Sequence, residues 1–138
     1  MEKTLIILKP DCMNKNLCGT ILKRFEDEGL KIIACKMMRL SSSLLKAHYA
    51  HHADKPYFPE IEGFMSSTPV MILILQGDKA IAKVRELLGA TDPAEAAENT
   101  LRKKYAESKM KNIAHASDSI ESASVEIHRF FDASELLA

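Results

Sequence analysis

The longest apolar run of the chain extends from Val70 to Leu75, and it constrains the fold more than any other segment. It has the length of a β-strand and falls far short of the roughly 18 apolar residues of a membrane span. Because every residue in it is apolar, it predicts a central strand that is covered on both faces. Helices that cover a sheet are the expected solution, in an α/β or α+β architecture.

Strand-like and helix-like segments alternate along the rest of the chain. The predicted strands are Thr4–Lys9, Leu30–Leu40, Val70–Leu75 and Asn112–Ser117. The first predicted helix is Leu17–Glu28, and the second is capped by Ser41–Ser43 and carries His48, Tyr49 and His52. A short helix follows the break Lys55–Pro59. The last two predicted helices are one capped by Asp78 and one with a capping box of Asp118 and Glu121. This order does not decide between parallel and antiparallel strand pairing.

Length and charge limit the classes of partner. The 138 residues fit one domain, 1–138, and the 19 basic and 19 acidic residues give no net charge. This balance argues against a specific nucleic acid or an anionic membrane as partner. Three cysteines (Cys12, Cys18 and Cys35) form no C-x-x-C pair, so we expect free thiols and a cytoplasmic location.

Two groups of histidines are candidates for chemistry. His48 and His52 stand four residues apart on a predicted helix, a spacing that suits zinc, but no third ligand is evident. We interpret them as histidines that pack or face solvent. His115 lies among small residues at a predicted strand-to-helix junction, where free N–H groups favour an anion. Its imidazole is either a buried structural group or a nucleophile toward phosphorus.

The chain has only five glycines and no glycine-rich phosphate loop. An enzyme of this sequence that binds phosphate must therefore hold it with side chains.

The segment N-I-A-H-A-S-D-S-I-E-S-A at 112–123 closely resembles the active-site signature of nucleoside diphosphate kinases. Further matches follow the family's order over essentially the whole chain. They are L-K-P-D at 8–11, H-Y at 48–49, K-P-Y-F at 55–58, L-L-G-A-T-D-P at 87–93, T-L-R at 100–102 and E-I at 126–127.

The resemblance implies a ferredoxin-like βαββαβ fold, with a four-stranded antiparallel sheet, helices on one face and an extra helical hairpin between Leu40 and Val70. It implies a phosphotransferase that moves the γ-phosphate of a nucleoside triphosphate to a nucleoside diphosphate by a ping-pong route. The alternatives are a non-catalytic oligomeric nucleotide-binding or regulatory member of the family, and a phosphocarrier charged by a protein partner.

The resemblance also implies the roles of individual residues. His115 corresponds to the phosphorylated nucleophile, Glu126 to the glutamate on its far ring nitrogen, and Ser117 to a support of that glutamate. Lys9 and Tyr49 correspond to groups that meet the transferred phosphoryl. The remaining nucleotide-binding residues are Arg85, Arg102 and Thr91 for the phosphates, Asn112 for the sugar 3′-hydroxyl and Phe58 for base stacking.

Stacking reads no base edge, so the resemblance predicts weak discrimination among bases. Mg²⁺ is expected to arrive with the nucleotide, and no residue of the chain is predicted as a dedicated metal ligand. The family is oligomeric, so a homo-oligomer is expected.

Overall fold

The computed structural model describes residues 1–137, and its four strands form one antiparallel sheet. The strands are β1 (Glu2–Leu8), β2 (Lys31–Met38), β3 (Val70–Gly77) and β4 (Ala114–Ala116), in the order β2-β3-β1-β4. β3 lies between β1 and β2, and Ile72 to Leu75 are completely buried. The prediction of a central, doubly covered strand is confirmed.

Seven α-helices accompany the sheet in residues 1–137. They are α1 (Pro10–Asn14), α2 (Cys18–Asp27), α3 (Ser42–His48), α4 (Phe58–Met65), α5 (Ala80–Leu88), α6 (Leu101–Tyr105) and α7 (Ile120–Phe130). The elements β1, α2, β2, β3, α5 and β4 make the predicted βαββαβ order, and α3 and α4 are the extra hairpin. None of the helices in this range is long and apolar enough to cross a membrane.

The prediction that the helices lie on one face of the sheet is wrong. On one face, Ile6 and Leu8 pack in a cluster with Phe25 of α2 and Val84 of α5. On the other, Leu5 and Ile7 of the same strand pack in a second cluster, whose helical members come from α3, α4 and α7. Because β1 is apolar on both faces from Leu5 to Leu8, both faces need a cover.

Several predicted boundaries are shifted. Pro10 does not open a turn but the short helix α1, because its missing N–H and fixed φ suit the first helical position. α3 begins at its predicted cap, since Ser41 accepts a hydrogen bond from the amide of Leu44, but it ends at His48. Tyr49 and His52 therefore lie beyond the helix. The two-proline break is shorter than predicted, because α4 already begins at Phe58.

Two predicted helix caps are displaced by one residue. Lys79, with a left-handed φ of +50°, precedes α5 in place of Asp78. At α7 the hydroxyl of Ser119, not the side chain of Asp118, accepts the hydrogen bond from the Ser122 amide. Ile120 is exposed, so the apolar face of α7 begins only at Ala123.

Candidate functional site

β4 presents His115 to a large cleft. The strand is three residues long and pairs with the end of β1, where His115 lies opposite Ile7. His115 is half-buried and lines a cleft of about 1020 Å³. The other walls come from the α3–α4 hairpin, α7, and the segment that leads into β4.

A carboxylate fixes one nitrogen of the His115 ring. Nε2 of His115 lies 3.0 Å from Oε1 of Glu126, and the Ser117 hydroxyl donates to the same oxygen at 2.6 Å. Burial alone raises the pKa of Glu126, but the hydrogen bonds from His115 and Ser117 outweigh it and hold that pKa below its usual range. An ionised carboxylate accepts the proton of Nε2–H, so the neutral ring keeps its free lone pair on Nδ1.

The Ser117 hydroxyl is itself held by the sheet. It accepts a hydrogen bond from the amide of Leu5 at 3.1 Å, and Ser117 is fully buried. The orientation of the imidazole is therefore tied through Glu126 and Ser117 to the backbone of β1.

His48 packs edge-to-face against the nucleophile candidate, a contact that the sequence analysis missed. The two ring centroids are 4.4 Å apart. Nη1 of Arg129 lies 3.1 Å from Nδ1 of His48, and because arginine only donates, that nitrogen accepts. Burial, assisted by the charge of His115, lowers the pKa of His48 to about 3, so His48 is neutral at ordinary pH.

His48, His115 and Glu126 bring one potential ligand atom each within 4.8 Å of one another. The donor set nevertheless suits a metal poorly. Accepting from Arg129 leaves the proton of neutral His48 on Nε2, so neither nitrogen has a free lone pair. Glu126 already binds His115 and Ser117, and we therefore assign the cluster to positioning of His115.

Lys9 enters the cleft from the end of β1. Its ammonium donates to Oδ1 of Asn112 at 2.7 Å and to the Met110 carbonyl at 3.2 Å. Burial and the charge of Arg102, partly opposed by Asp11, lower its pKa to about 8. Lys9 is therefore a buried cation poorly compensated by the protein, which favours a bound anion.

Arg102 is held by three carbonyl groups. Its Nε, Nη1 and Nη2 donate to the carbonyls of Asn112, Gly89 and Ala114 at 3.2, 3.0 and 2.7 Å. Burial and the charge of Arg85 lower its pKa to about 10. A guanidinium carries five N–H groups, so two donors remain after these three hydrogen bonds.

Arg85 of α5 lines the same cleft and lies 3.4 Å from the carbonyl of Ala116. With Lys9 and Arg102 it makes a concentration of positive charge beside His115.

Asn112 and Thr91 lie together beside Lys9. Nδ2 of Asn112 donates weakly to the Thr91 carbonyl at 3.4 Å, and Asn112 is 3% exposed. Tyr49 lines the cleft from the end of α3, and burial together with the charge of Glu126 raises its pKa to about 12, so it remains a neutral phenol.

Asp11 positions the strand that carries His115, a role that the sequence analysis did not assign. Its Oδ2 accepts from the amide of Ile113 at 2.9 Å. Ile113 has a φ of +78°, which is strained for a β-branched residue, and its carbonyl accepts from the amide of Lys9. These bonds hold the bend through which the chain enters β4.

Phe58 does not lie in the cleft, contrary to the prediction that it stacks on a base. It is 4% exposed and packs with Leu5, Leu45 and Ile127 in the apolar core. Its neighbour Tyr57 is 47% exposed and lines the cleft. Successive residues at the start of a helix point about 100° apart, so only one of the two aromatic rings can face the cleft.

The chain is similar to known proteins over nearly its whole length. The family model described as nucleoside diphosphate kinase matches residues 2–136. A nucleoside diphosphate kinase of Campylobacter curvus is 48% identical over 136 residues, which cover 99% of each chain.

Solved structures show the same likeness. The nucleoside diphosphate kinase of Aquifex aeolicus superposes with a TM-score of 0.92 at 45% identity, covering 99% of both chains. A halophilic nucleoside diphosphate kinase from Halobacterium salinarum, solved in complex with CDP, gives a TM-score of 0.94 at 39% identity, covering 99% of this chain and 91% of that one. The chain therefore belongs to the nucleoside diphosphate kinase family and is a phosphotransferase.

Proposed function

We propose that His115 carries the phosphoryl group between two nucleotides. Nδ1 attacks the γ-phosphorus of a nucleoside triphosphate, the bond from that phosphorus to the β–γ bridging oxygen breaks, and a nucleoside diphosphate leaves. In the second half, a terminal oxygen of another diphosphate attacks the phosphorus and the N–P bond breaks. The observation that carries the proposal is the bond from Nε2 to Glu126, which leaves the Nδ1 lone pair for the cleft.

The three cations beside His115 are proposed to hold the transferring group. Lys9, Arg85 and Arg102 all line the cleft. Guanidinium forks match phosphate oxygens, and their charge stabilises the negative charge that is spread over the transferring phosphoryl. Because Lys9 and Arg102 are already ordered by hydrogen bonds, little reorganisation accompanies binding.

Three polar groups complete the proposed nucleotide site. The Tyr49 hydroxyl contacts the transferring phosphoryl as a neutral donor, and Thr91 contributes a hydroxyl to the outer phosphates. Asn112 contacts the sugar 3′-hydroxyl beside Lys9, to which its side chain is already bonded.

The base is proposed to stack on Tyr57 rather than on Phe58, since only Tyr57 lines the cleft. Its hydroxyl lies 2.5 Å from Nδ1 of His52, which holds the ring in place. A stacking platform accepts every base, because each offers a π face.

Mg²⁺ is proposed to enter with the nucleotide. Glu126 is committed to His115 and Ser117, and the acids Asp118 and Glu121 line the same cleft as Arg85. The residues described thus fit an ion that is held mainly by phosphate oxygens and water. When bound, Mg²⁺ neutralises part of the phosphate charge.

We also propose a homo-oligomer, on the basis of the family, and a cytoplasmic location, with which the three free cysteines agree.

The test is transfer of label from γ-labelled ATP. We expect an acid-labile, alkali-stable phosphoprotein that unlabelled nucleoside diphosphates discharge. His115→Ala should form none while it still binds nucleotide. A variant that still accepts label, or a wild-type phosphoprotein that diphosphates do not discharge, contradicts the proposal.

A further inference from the structure

A tight turn joins α1 to α2 and places two cysteines side by side. The amide of Leu17 donates to the Cys12 carbonyl and the amide of Asn16 to the Met13 carbonyl, both at 3.1 Å. These are the two bonds of a Schellman motif, and Asn16 has the left-handed φ, +56°, that the motif requires. The turn brings Cys18, the first residue of α2, back to Cys12.

The sulfur atoms at this turn form a chain of contacts. The Cys12 thiol is hydrogen-bonded to Cys18. The Cys18 thiol in turn donates to Sδ of Met13 at 3.3 Å. All three side chains belong to, or pack against, the apolar cluster that contains Phe25. Cys35 of β2 makes no hydrogen bond to either thiol within residues 1–137, so the structure singles out one pair of thiols.

The two thiols of this pair differ in their access to solvent. Cys12 is fully buried, whereas Cys18 is partly exposed. Burial, assisted by the neighbouring Cys18, raises the pKa of Cys12, so its sulfur keeps its proton. Because the thiolate is the form of cysteine that an oxidant attacks, and because it must be accessible, an oxidant from solvent meets Cys18 first.

We propose that Cys12 and Cys18 form an oxidation site, at which a hydroperoxide produces a disulfide that reversibly lowers phosphotransferase activity. In the first step the Cys18 thiolate attacks the terminal oxygen of the hydroperoxide, the O–O bond breaks, and the leaving oxygen takes up a proton. Cys18 becomes a sulfenic acid. In the second step the sulfur of Cys12 attacks that of Cys18, the S–O bond breaks, and hydroxide leaves as water with the proton of Cys12. The two thiols lose two electrons in total, and these reduce one hydroperoxide.

The second step depends on contact rather than on acidity. A thiol that keeps its proton attacks slowly. Cys12 nevertheless touches Cys18 already, and two reacting groups held together react as though at a very high concentration. A disulfide formed in this way is compatible with a reducing cytoplasm, where disulfides are transient and serve redox sensing.

The same turn is continuous with the cleft. α1 begins directly after Lys9, and the amide of Met13 donates to the Lys9 carbonyl at 3.0 Å. Asp11, which precedes Cys12, binds the amide of Ile113 at the bend into β4. A disulfide draws its sulfurs to about 2.05 Å, much closer than a hydrogen-bonded pair of thiols, so this short helix must shift. The effect on activity therefore rests on the proposed function of Lys9, whereas formation of the disulfide does not.

The experiment treats the reduced wild type with hydrogen peroxide and then alkylates the remaining thiols. We expect a protein lighter by two hydrogen atoms, with Cys35 as its one alkylated cysteine. Trypsin cleaves after Lys15, between the two cysteines, so the disulfide joins two peptides in a digest. The kcat/KM of phosphoryl transfer should fall by about ten- to a hundredfold, the effect of a displacement of about 1 Å near a site. Dithiothreitol should restore it, which oxidation of methionine would not allow.

Three variants assign the reaction to the pair. Cys18→Ser should form no disulfide and should lose no activity that dithiothreitol restores. Cys35→Ser is the matched control and should be oxidised and inactivated as the wild type is. Cys12→Ala should stop at the sulfenic acid, which dimedone traps on Cys18.

Four results separate the inference from the proposed function. A disulfide that includes Cys35, or oxidation of Cys18 to a sulfinic acid with no disulfide, overturns the assignment of the pair. A Cys12–Cys18 disulfide that leaves kcat/KM unchanged overturns the effect on the cleft. Reduced wild type without phosphoryl transfer contradicts the proposed function, and the masses of the peptides still decide whether the disulfide forms.

Discussion

The two ends of the cleft are built differently. At the end proposed to hold the phosphates, called here the phosphate end, Lys9, Arg102 and Asn112 are 8%, 7% and 3% exposed, and each is hydrogen-bonded to its neighbours. At the base end, Tyr57 is 47% exposed and Lys109 has no bonding partner among the described residues. Burial of like charges costs stability, so the phosphate end is a site that only a bound anion makes favourable.

This contrast indicates where specificity and rate arise. In the proposed function, ordered cations beside His115 stabilise developing charge without moving, and they meet groups that every nucleoside triphosphate shares. The open aromatic end is proposed to contribute affinity with little preference among bases. The following predictions test the division, from the largest expected effect to the smallest.

Lys9→Met should lower kcat/KM by about 10²- to 10³-fold, as loss of a preorganised charged donor does. The free energy of unfolding should change little, because the substitution also removes the like charge beside Arg102. Steady-state kinetics with denaturant unfolding measures both quantities, and Lys111→Met is the control. Unaltered kinetics would mean that the phosphate end does not depend on Lys9.

Tyr57→Ala should affect nucleotide binding, whereas Phe58→Ala should affect the stability of the fold. Tyr57→Ala should weaken binding of every nucleotide by about 1–3 kcal/mol, as loss of a base–aromatic stack does, and leave unfolding nearly unchanged. Phe58→Ala should destabilise the fold by about 3–5 kcal/mol, because it empties a core position. Titration with two nucleotides and urea unfolding separate the pair. If Phe58→Ala weakens binding more than Tyr57→Ala in folded protein, the base lies elsewhere.

The pH profile of kcat/KM should fall on the alkaline side. Burial lowers the pKa of Lys9 to about 8 in the free enzyme, so its charge is present below that pH and is lost as pH rises through it. We expect up to about a tenfold decrease for each pH unit above 8, since kcat/KM reports groups of the free enzyme. Lys9→Met should lack this alkaline limb. If Lys9→Met showed the same alkaline decrease of kcat/KM, a group other than Lys9 would be responsible for it.

Much of the fold could be predicted from the sequence. The signature around His115 is long, and the wholly apolar segment from Val70 to Leu75 is stable only as a central strand that is covered on both faces. The sequence of β1 also indicates that helices cover both faces of the sheet, because Leu5 to Leu8 are all apolar. The hydrogen-bonded pair of His115 and Glu126 could be predicted only from the resemblance, since the two residues lie eleven positions apart on β4 and α7 and meet only through the tertiary fold.

Other features depend on orientations that a pattern of residue types does not contain. Tyr57 and Phe58 are both aromatic and adjacent, and only the angle at which α4 meets the sheet turns one into the core and the other into the cleft. The sequence predicts that His48 packs or faces solvent, and it packs, but its partner is His115 and its hydrogen-bond donor is Arg129 of α7. Those contacts bring together parts of the chain that lie far apart in sequence.

The central claim is that His115 accepts the phosphoryl group on Nδ1, the ring nitrogen that Glu126 does not bind. Phosphorus NMR of the enzyme phosphorylated by ATP, with peptide mapping after alkaline digestion, tests it most directly, because the two phosphohistidine isomers give distinct signals. We predict a single phosphohistidine at position 115 with phosphorus on Nδ1. Phosphorus on Nε2, or on a residue other than His115, would contradict the account.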